Sequence, residues 1–247
     1  MSSSRSGYVW GVLTLLAVWQ VGAWWAGESV LAGPATVLAK LASEARTQKF
    51  WHHVGSSSIR VFAALVVSFV SAVPLGLFLG SNARADRLAR PLIYLTYPVP
   101  KIVLLPLVLL IFGLGDMGKI AMLSLILFFQ LLITTRDAAR AVPRSARYAL
   151  FSLGGTKRHL FAHVIWPSTL PAVFTALRIA TGTVVAVLFF VESIGTRYGM
   201  GFYILDAWGR ADVPQIFVGI VVLALMGVIL YETFDILERV FCKWSQL

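Results

Sequence analysis

Six apolar runs separated by short polar segments set the pattern of this chain. They are Tyr8–Trp25, Arg60–Gly80, Leu92–Gly113, Met117–Thr135, Leu170–Val191 and Pro214–Leu237. Each is near the length of about 20 helical residues that crosses a hydrocarbon core of about 30 Å. The pattern predicts an all-α, polytopic membrane protein with about six transmembrane helices, organised as a single membrane domain over residues 1–247. The first run follows a short polar start bearing Arg5, as a cleaved leader would. It also carries Trp10, Trp19, Trp24 and Trp25, which suit interfacial anchoring, and no small-x-small cleavage site directly follows. It reads as a retained anchor.

Prolines mark where these helices depart from regularity. Pro74 in the second run and Pro98, Pro100 and Pro106 in the third remove backbone donors, which predicts bends or local breaks. Broken backbone at membrane depth survives only where protein or a wet cavity satisfies it, so the third run is the leading candidate to line a path. Outside the spans, Gly33-Pro34 opens a predicted interfacial helix, Ala35–Arg46, with Val37, Leu38 and Leu41 on its apolar face.

Composition sharpens the class. At 58% hydrophobic, 13% charged and a mean hydropathy of +0.82, the chain is too apolar for a soluble domain. The net charge of +10 would point to nucleic acid in a soluble protein. Here the cations sit in short loops beside apolar runs, where retention on the cytoplasmic side explains them, so no nucleic-acid partner is expected. Arg84, Arg87 and Arg90 follow the second run; Arg136, Arg140, Arg144, Arg147, Lys157 and Arg158 follow the fourth. Placing both loops inside also places both termini inside, with Arg5, Arg239 and Lys243. The outer loops keep Lys40, Arg46, Lys49, Arg197 and Arg210, tempered by Glu28, Glu44, Asp206 and Asp212. A lone Cys242 excludes an intrachain disulfide and a cysteine metal cluster, and reads as a small apolar residue at the end of a span.

Several motifs tempt and fail. Gly113-Leu-Gly115-Asp-Met-Gly118-Lys119 resembles both a dinucleotide fingerprint and a phosphate loop, but Ile120 stands where Ser or Thr would hold magnesium and no strand precedes it. A tight turn between spans is expected, and no ATP site in this chain. His159 and His163 share a helical face at metal-ligand spacing without the adjacent glutamate of a metalloprotease, so they read as polar-face residues; His52 and His53 read as interfacial. No paired carboxylates or nucleophile–base set is present, so no catalytic or metal residues are expected.

The segment Arg136–Pro167 is different. Ser145–Leu153 predicts one short helix and Lys157–Val164 another, with Gly154-Gly155 as the turn and Pro167 starting the next element. This helix, glycine turn and helix resemble the coupling loop of binding-protein-dependent ABC importer permeases, whose signature is Glu-Ala-Ala, then glycine, then Leu-Pro. Those positions read Tyr148-Ala149-Leu150, Gly154 and Trp166-Pro167 here, with Tyr148 in place of the acidic residue. The resemblance covers nearly the whole chain: Gly33-Pro34-Ala-Thr-Val-Leu, Pro74–Gly80, Arg90–Ile120, Leu177–Gly182 and Tyr198–Ala207 are all similar to permeases of the nitrate, sulfonate, taurine and bicarbonate group.

That resemblance implies an inner-membrane permease subunit working as a homodimer with two ABC ATPase subunits, an extracytoplasmic solute-binding protein and the surrounding lipid. ATP and magnesium would be bound by the ATPase, this chain holding no cofactor. Pro98, Pro100, Lys101, Arg178 and Glu192 are the expected pathway residues. Counting about 1.5 Å per residue puts Lys101 and Arg178 roughly 16 Å deep, where an unpaired cation is costly. Either they draw an anionic solute, or Arg178 is tied to helix-end carbonyls while Lys101 snorkels or pairs with Glu192. A secondary transporter or channel is the alternative. It would carry intramembrane carboxylates for ion coupling and a repeated half, and neither is read in this sequence.

Overall fold

The computed structural model describes the backbone of residues 2–246 and the side chains of residues 10–244; the side chain of Arg5, expected on the basic side, lies outside the described residues. Among the described residues every regular element is helical. In chain order they are α1 (Ser2–Ala26), α2 (Pro34–Glu44), α3 (Gln48–Ser81), α4 (Ala83–Thr96), α5 (Leu105–Phe112), α6 (Asp116–Ala141), α7 (Arg144–Ser152), α8 (Lys157–Leu160), α9 (Trp166–Glu192), α10 (Met200–Gly209) and α11 (Val213–Phe241). Four runs are long and apolar enough to cross a membrane: α3, α6, α11 and the continuous stretch Lys157–Glu192. The α4–α5 pair makes a fifth if its two arms count as one span, and α1 adds a shorter apolar stretch, Trp10–Ala26.

The prolines act differently from one another. Helix α3 runs unbroken through Pro74 and begins at Gln48, well before the expected Arg60. The third run does break: α4 is turned by 81° across Tyr97–Pro100 from the stretch Lys101–Phe112, a 3-10 turn (Lys101–Leu104) running into α5. Pro98 and Pro100 supply no amide hydrogens there, whereas Pro106 opens α5, where the first-turn amides have no helical partner and a missing N–H costs nothing. Helix α2 follows Gly33 as expected but runs from Pro34 to Glu44, not Ala35 to Arg46, with Val37 buried and Leu38 exposed.

The chain divides into two compact units, residues 1–57 with 192–224 and residues 58–191 with 225–247. In the first, the Trp19 indole donates to the Ala32 carbonyl at 2.9 Å, and Lys40 meets Asp212 at 2.9 Å. In the second, Ala72, Val73, Leu77, Leu131, Leu132, Val173 and Leu177 form the dry centre, with Cys242 fully buried at its edge. Helices α3 and α6 touch backbone to backbone at Gly76 and Gly80. A Cβ on Gly80 would lie 2.3 Å from the Arg136 carbonyl oxygen and 2.7 Å from the Ala139 side chain; one on Gly76 would lie 2.8 Å from Thr135. Small residues four apart permit that approach, which substitutes for the hydrophobic force that lipid cannot supply between helices.

Candidate functional site

The loop between α6 and the Lys157–Glu192 span forms the helix and glycine turn that the sequence predicts. Helix α7 ends at Ser152 with Leu153 as its C-cap, and Gly154 takes φ +77°, a left-handed conformation that L side chains rarely adopt. The Gly154 amide donates to the Phe151 carbonyl and the Gly155 amide to the Leu150 carbonyl, both at 3.0 Å. These are the two bonds of a Schellman stop. The glycines serve separate needs. Gly154 has open space but needs positive φ, whereas Gly155 has no room, since its Cβ would fall 2.6 Å from Leu150 Cγ and 2.8 Å from the Leu150 oxygen.

Thr156 then caps α8 in a reciprocal box. Its hydroxyl accepts from the His159 amide and His159 Nδ1 accepts from the Thr156 amide, each at 3.4 Å. His159 is thereby assigned to local capping, and no cluster of three metal-binding side chains exists among the described residues. Beyond α8 the chain does not restart at Pro167. Residues Phe161–Ile165 form one π turn, with the Trp166 amide donating to Phe161, and the helix continues to Glu192. A π turn immediately before Pro167 absorbs the donor that proline lacks without ending the helix. The expected boundary at Pro167 is therefore a register shift inside one continuous 36-residue run. Tyr148, Phe151 and Leu153 stand exposed on this loop, Leu153 by 86%. Ala149 and Gly154 are exposed as well, and Leu150 is half-buried.

The pathway candidates are satisfied locally. Lys101 donates to the carbonyls of Thr96 (2.9 Å) and Tyr97 (2.5 Å) at the end of α4, and its ammonium stands 4.8 Å from the Phe129 ring centre. It acts as a cation capping a helix C-terminus, at the break that Pro98 and Pro100 create. Arg178 is not tied to helix-end carbonyls. It forms ion pairs with Asp235 and Glu238 of α11, the latter at 2.9 Å. Both acids lie in the last turns of α11, where they neutralise an arginine. Glu192 is fully buried; its oxygens accept from the Ser57 hydroxyl at 2.9 and 2.8 Å and from the Gly201 amide at 2.9 Å. That places a carboxylate at the N-terminus of α10, where the helix dipole favours it.

Three further sites differ from expectation or add to it. His53 is packed inside the protein, 1% exposed, its Nδ1 3.1 Å from the Gly199 amide. The Gly113–Lys119 motif is a tight turn, as predicted. Gly113 has φ +81°, a Cβ on Gly118 would sit 2.2 Å from the Gly113 oxygen, and buried Lys119 donates to the Leu114 carbonyl at 2.9 Å. Asp86, 3% exposed, collects Arg90 at 2.6 Å, Arg140 at 3.2 Å and buried Arg136. No sequence signal pointed to Asp86, because Arg136 and Arg140 lie some fifty residues away.

Several membrane-length helices with a helix–glycine turn–helix loop set the class as a multi-pass membrane protein. The family model of binding-protein-dependent transport system inner membrane components matches residues 72–244, and the chain belongs to that family. It is 28% identical over 234 residues to the formylaminopyrimidine transport permease of Halalkalibacterium halodurans, covering 95% of this chain and 94% of that protein. The taurine transport system permease of Escherichia coli is 29% identical over 216 residues, 85% of this chain and 78% of its own. The putative aliphatic sulfonates transport permease of the same organism is 28% identical over 233 residues, 94% and 89% of the two chains. Among solved structures, an inward-facing conformation of the MetNI methionine ABC transporter shares the fold, with a TM-score of 0.65 at 19% identity, covering 76% of this chain and 94% of that one. This protein is accordingly a membrane-spanning permease subunit of an ABC importer.

Proposed function

We propose that this subunit acts as one permease domain, pairs with a second copy and with two ATPase subunits, and couples their closure to the movement of a small sulfonate-type anion. The observation that carries the coupling is mechanical. Residues 148–154 expose an aromatic and aliphatic surface at one end of a helix that continues unbroken from Lys157 to Glu192. A push on that surface is delivered straight into a membrane span, with the π turn at Phe161–Ile165 as its compliant point. Tyr148, Ala149, Leu150, Gly154 and Gly155 form the contact, and Pro167 sits where the lever enters the span.

The loop and both termini face the cytoplasm in this reading, by the density of arginine around it. ATP and magnesium belong to the partner, and a solute-binding protein outside delivers the cargo. The anionic substrate rests on the names of two relatives, for taurine and aliphatic sulfonates, and on Lys101 at the proline break of α4–α5. Reconstitution with the co-purifying ATPase tests the assignment. Gly154→Trp should leave ATP hydrolysis measurable while uptake is lost; normal uptake with normal ATPase association would sink it.

A further inference from the structure

A pocket of about 420 Å³ lies where α3 ends, α4 begins and α6 passes into α7. Its lining includes Arg87, Arg90, Arg140, Arg144 and Arg147 around the single carboxylate of Asp86. Asp86 is already committed to Arg90, Arg136 and Arg140, so Arg87, Arg144 and Arg147 bring positive charge that it does not balance. Three buried donors at this place, Ser81 Oγ, Arg90 Nε and Arg147 Nε, have no hydrogen-bond partner. Buried donors left unpaired are costly, and several converging on one cationic pocket call for a ligand rich in acceptor oxygens. Flat guanidinium forks match phosphate oxygens in particular.

The place in the fold narrows the source. Ser81 closes the α3 span and Ala141 closes the α6 span, which puts the pocket at the depth of lipid headgroups. Ser81 also lines a second cavity, of about 540 Å³, walled by Phe69, Val73, Leu77, Phe161 and Trp166. A basic pocket joined at one residue to an apolar groove has the two chemistries of one amphipathic molecule. We propose that this pocket holds the phosphate-bearing headgroup of an acidic phospholipid, with an acyl chain in the adjoining groove.

The full chain, purified in mild detergent and exchanged against defined lipids, tests this by native mass spectrometry. Phosphatidylglycerol should be retained in preference to phosphatidylcholine. Arg87→Gln with Arg147→Gln should weaken that retention about tenfold or more, whereas Arg46→Gln, at the end of α2, should not change it. Because the arginines could also support folding, Arg87→Lys with Arg147→Lys serves as the conservative pair and should keep most of the binding. Equal retention of phosphatidylglycerol by the double glutamine variant would overturn the proposal. Occupancy by inorganic phosphate without preference for the acidic lipid would overturn the lipid assignment. Loss of ATPase co-elution with lipid retention unchanged would instead make these arginines part of the partner interface and refute the site.

Discussion

At the scale of single residues, the two adjacent glycines of the loop make separable demands. Alanine at 154 must adopt a left-handed conformation, at a cost of about 1–2 kcal/mol, but meets nothing. Alanine at 155 meets Leu150. The expectation is that Leu150→Ala partly rescues Gly155→Ala, by removing the side-chain clash, and does not rescue Gly154→Ala. Uptake per ATP hydrolysed in the four variants checks it, and equal rescue of both would contradict the geometry. A second residue-scale effect is electrostatic. Burial pushes the Asp212 carboxyl up, but Lys40, the Gln215 amide and Arg210 together carry it below its ordinary 3.8. The Asp212 hydrogen bond raises Lys40 above 10.5 against its desolvation. Asp212 therefore contributes stability that is present above 3.8 and lost as pH falls through its lower folded value; Lys40 contributes below 10.5 and loses it as pH rises through its higher one. Asp212→Asn should flatten the acid limb of a plot of melting temperature against pH below about 4, by an amount worth at most about 1 kcal/mol for so exposed a pair.

At the scale of elements, the α3–α6 seam depends on the absence of side chains. Gly80 leaves only the Arg136 carbonyl and Ala139 beneath it, and any Cβ there forces the helices apart. Gly80→Leu should separate α3 from α6, disturb the Arg136–Asp86 pair that lies along the same contact, and lower the melting temperature by several degrees or abolish folded yield. Gly55, with nothing within 4 Å of its Cβ position, is the matched control. Fluorescence-detected size exclusion of the two leucine variants distinguishes them, and similar behaviour would show that the seam is not close-packed in solution. In the sequence, Gly76 and Gly80 stood only within Pro74–Gly80, a stretch read for its resemblance to the permease group. What they pack against was not legible there.

At the scale of the whole molecule, the partners of Arg178 and Lys101 bear on the proposed transport of an anion. Arg178 is held by two carboxylates, so Arg178→Met leaves Glu238 without this cation and Asp235 with the more exposed Arg239, and should lower assembly, reducing uptake of anionic and neutral solutes alike. Among the described residues Lys101 is held by carbonyls and ring faces, and no ion pair cancels its charge. Lys101→Met should lower uptake of a sulfonate more than that of a neutral solute. A matching loss for both solutes would assign Lys101 to holding the α4 terminus. Transport into proteoliposomes with the two solutes in parallel measures both variants.

The sequence by itself determined what depends on a few neighbouring residues. Apolar runs long enough to span, the break at Pro98 and Pro100, the opening of α2 on Pro34, the turns at Gly113 and Gly154, and the loop that marks the family are all consequences of local backbone preference and length. The continuity of α8 into α9 was less legible, because whether a proline ends a helix or is absorbed by a π turn depends on the packing of both sides. Only the tertiary structure decided which charges meet. Asp86 finds Arg136 and Arg140, Arg178 finds Asp235 and Glu238, and Ser57 finds Glu192, across separations of 50 to 135 residues. A buried charge must be paired somewhere, but the chain's periodicity does not say where. That pairing is set when the helices close to within hydrogen-bond reach.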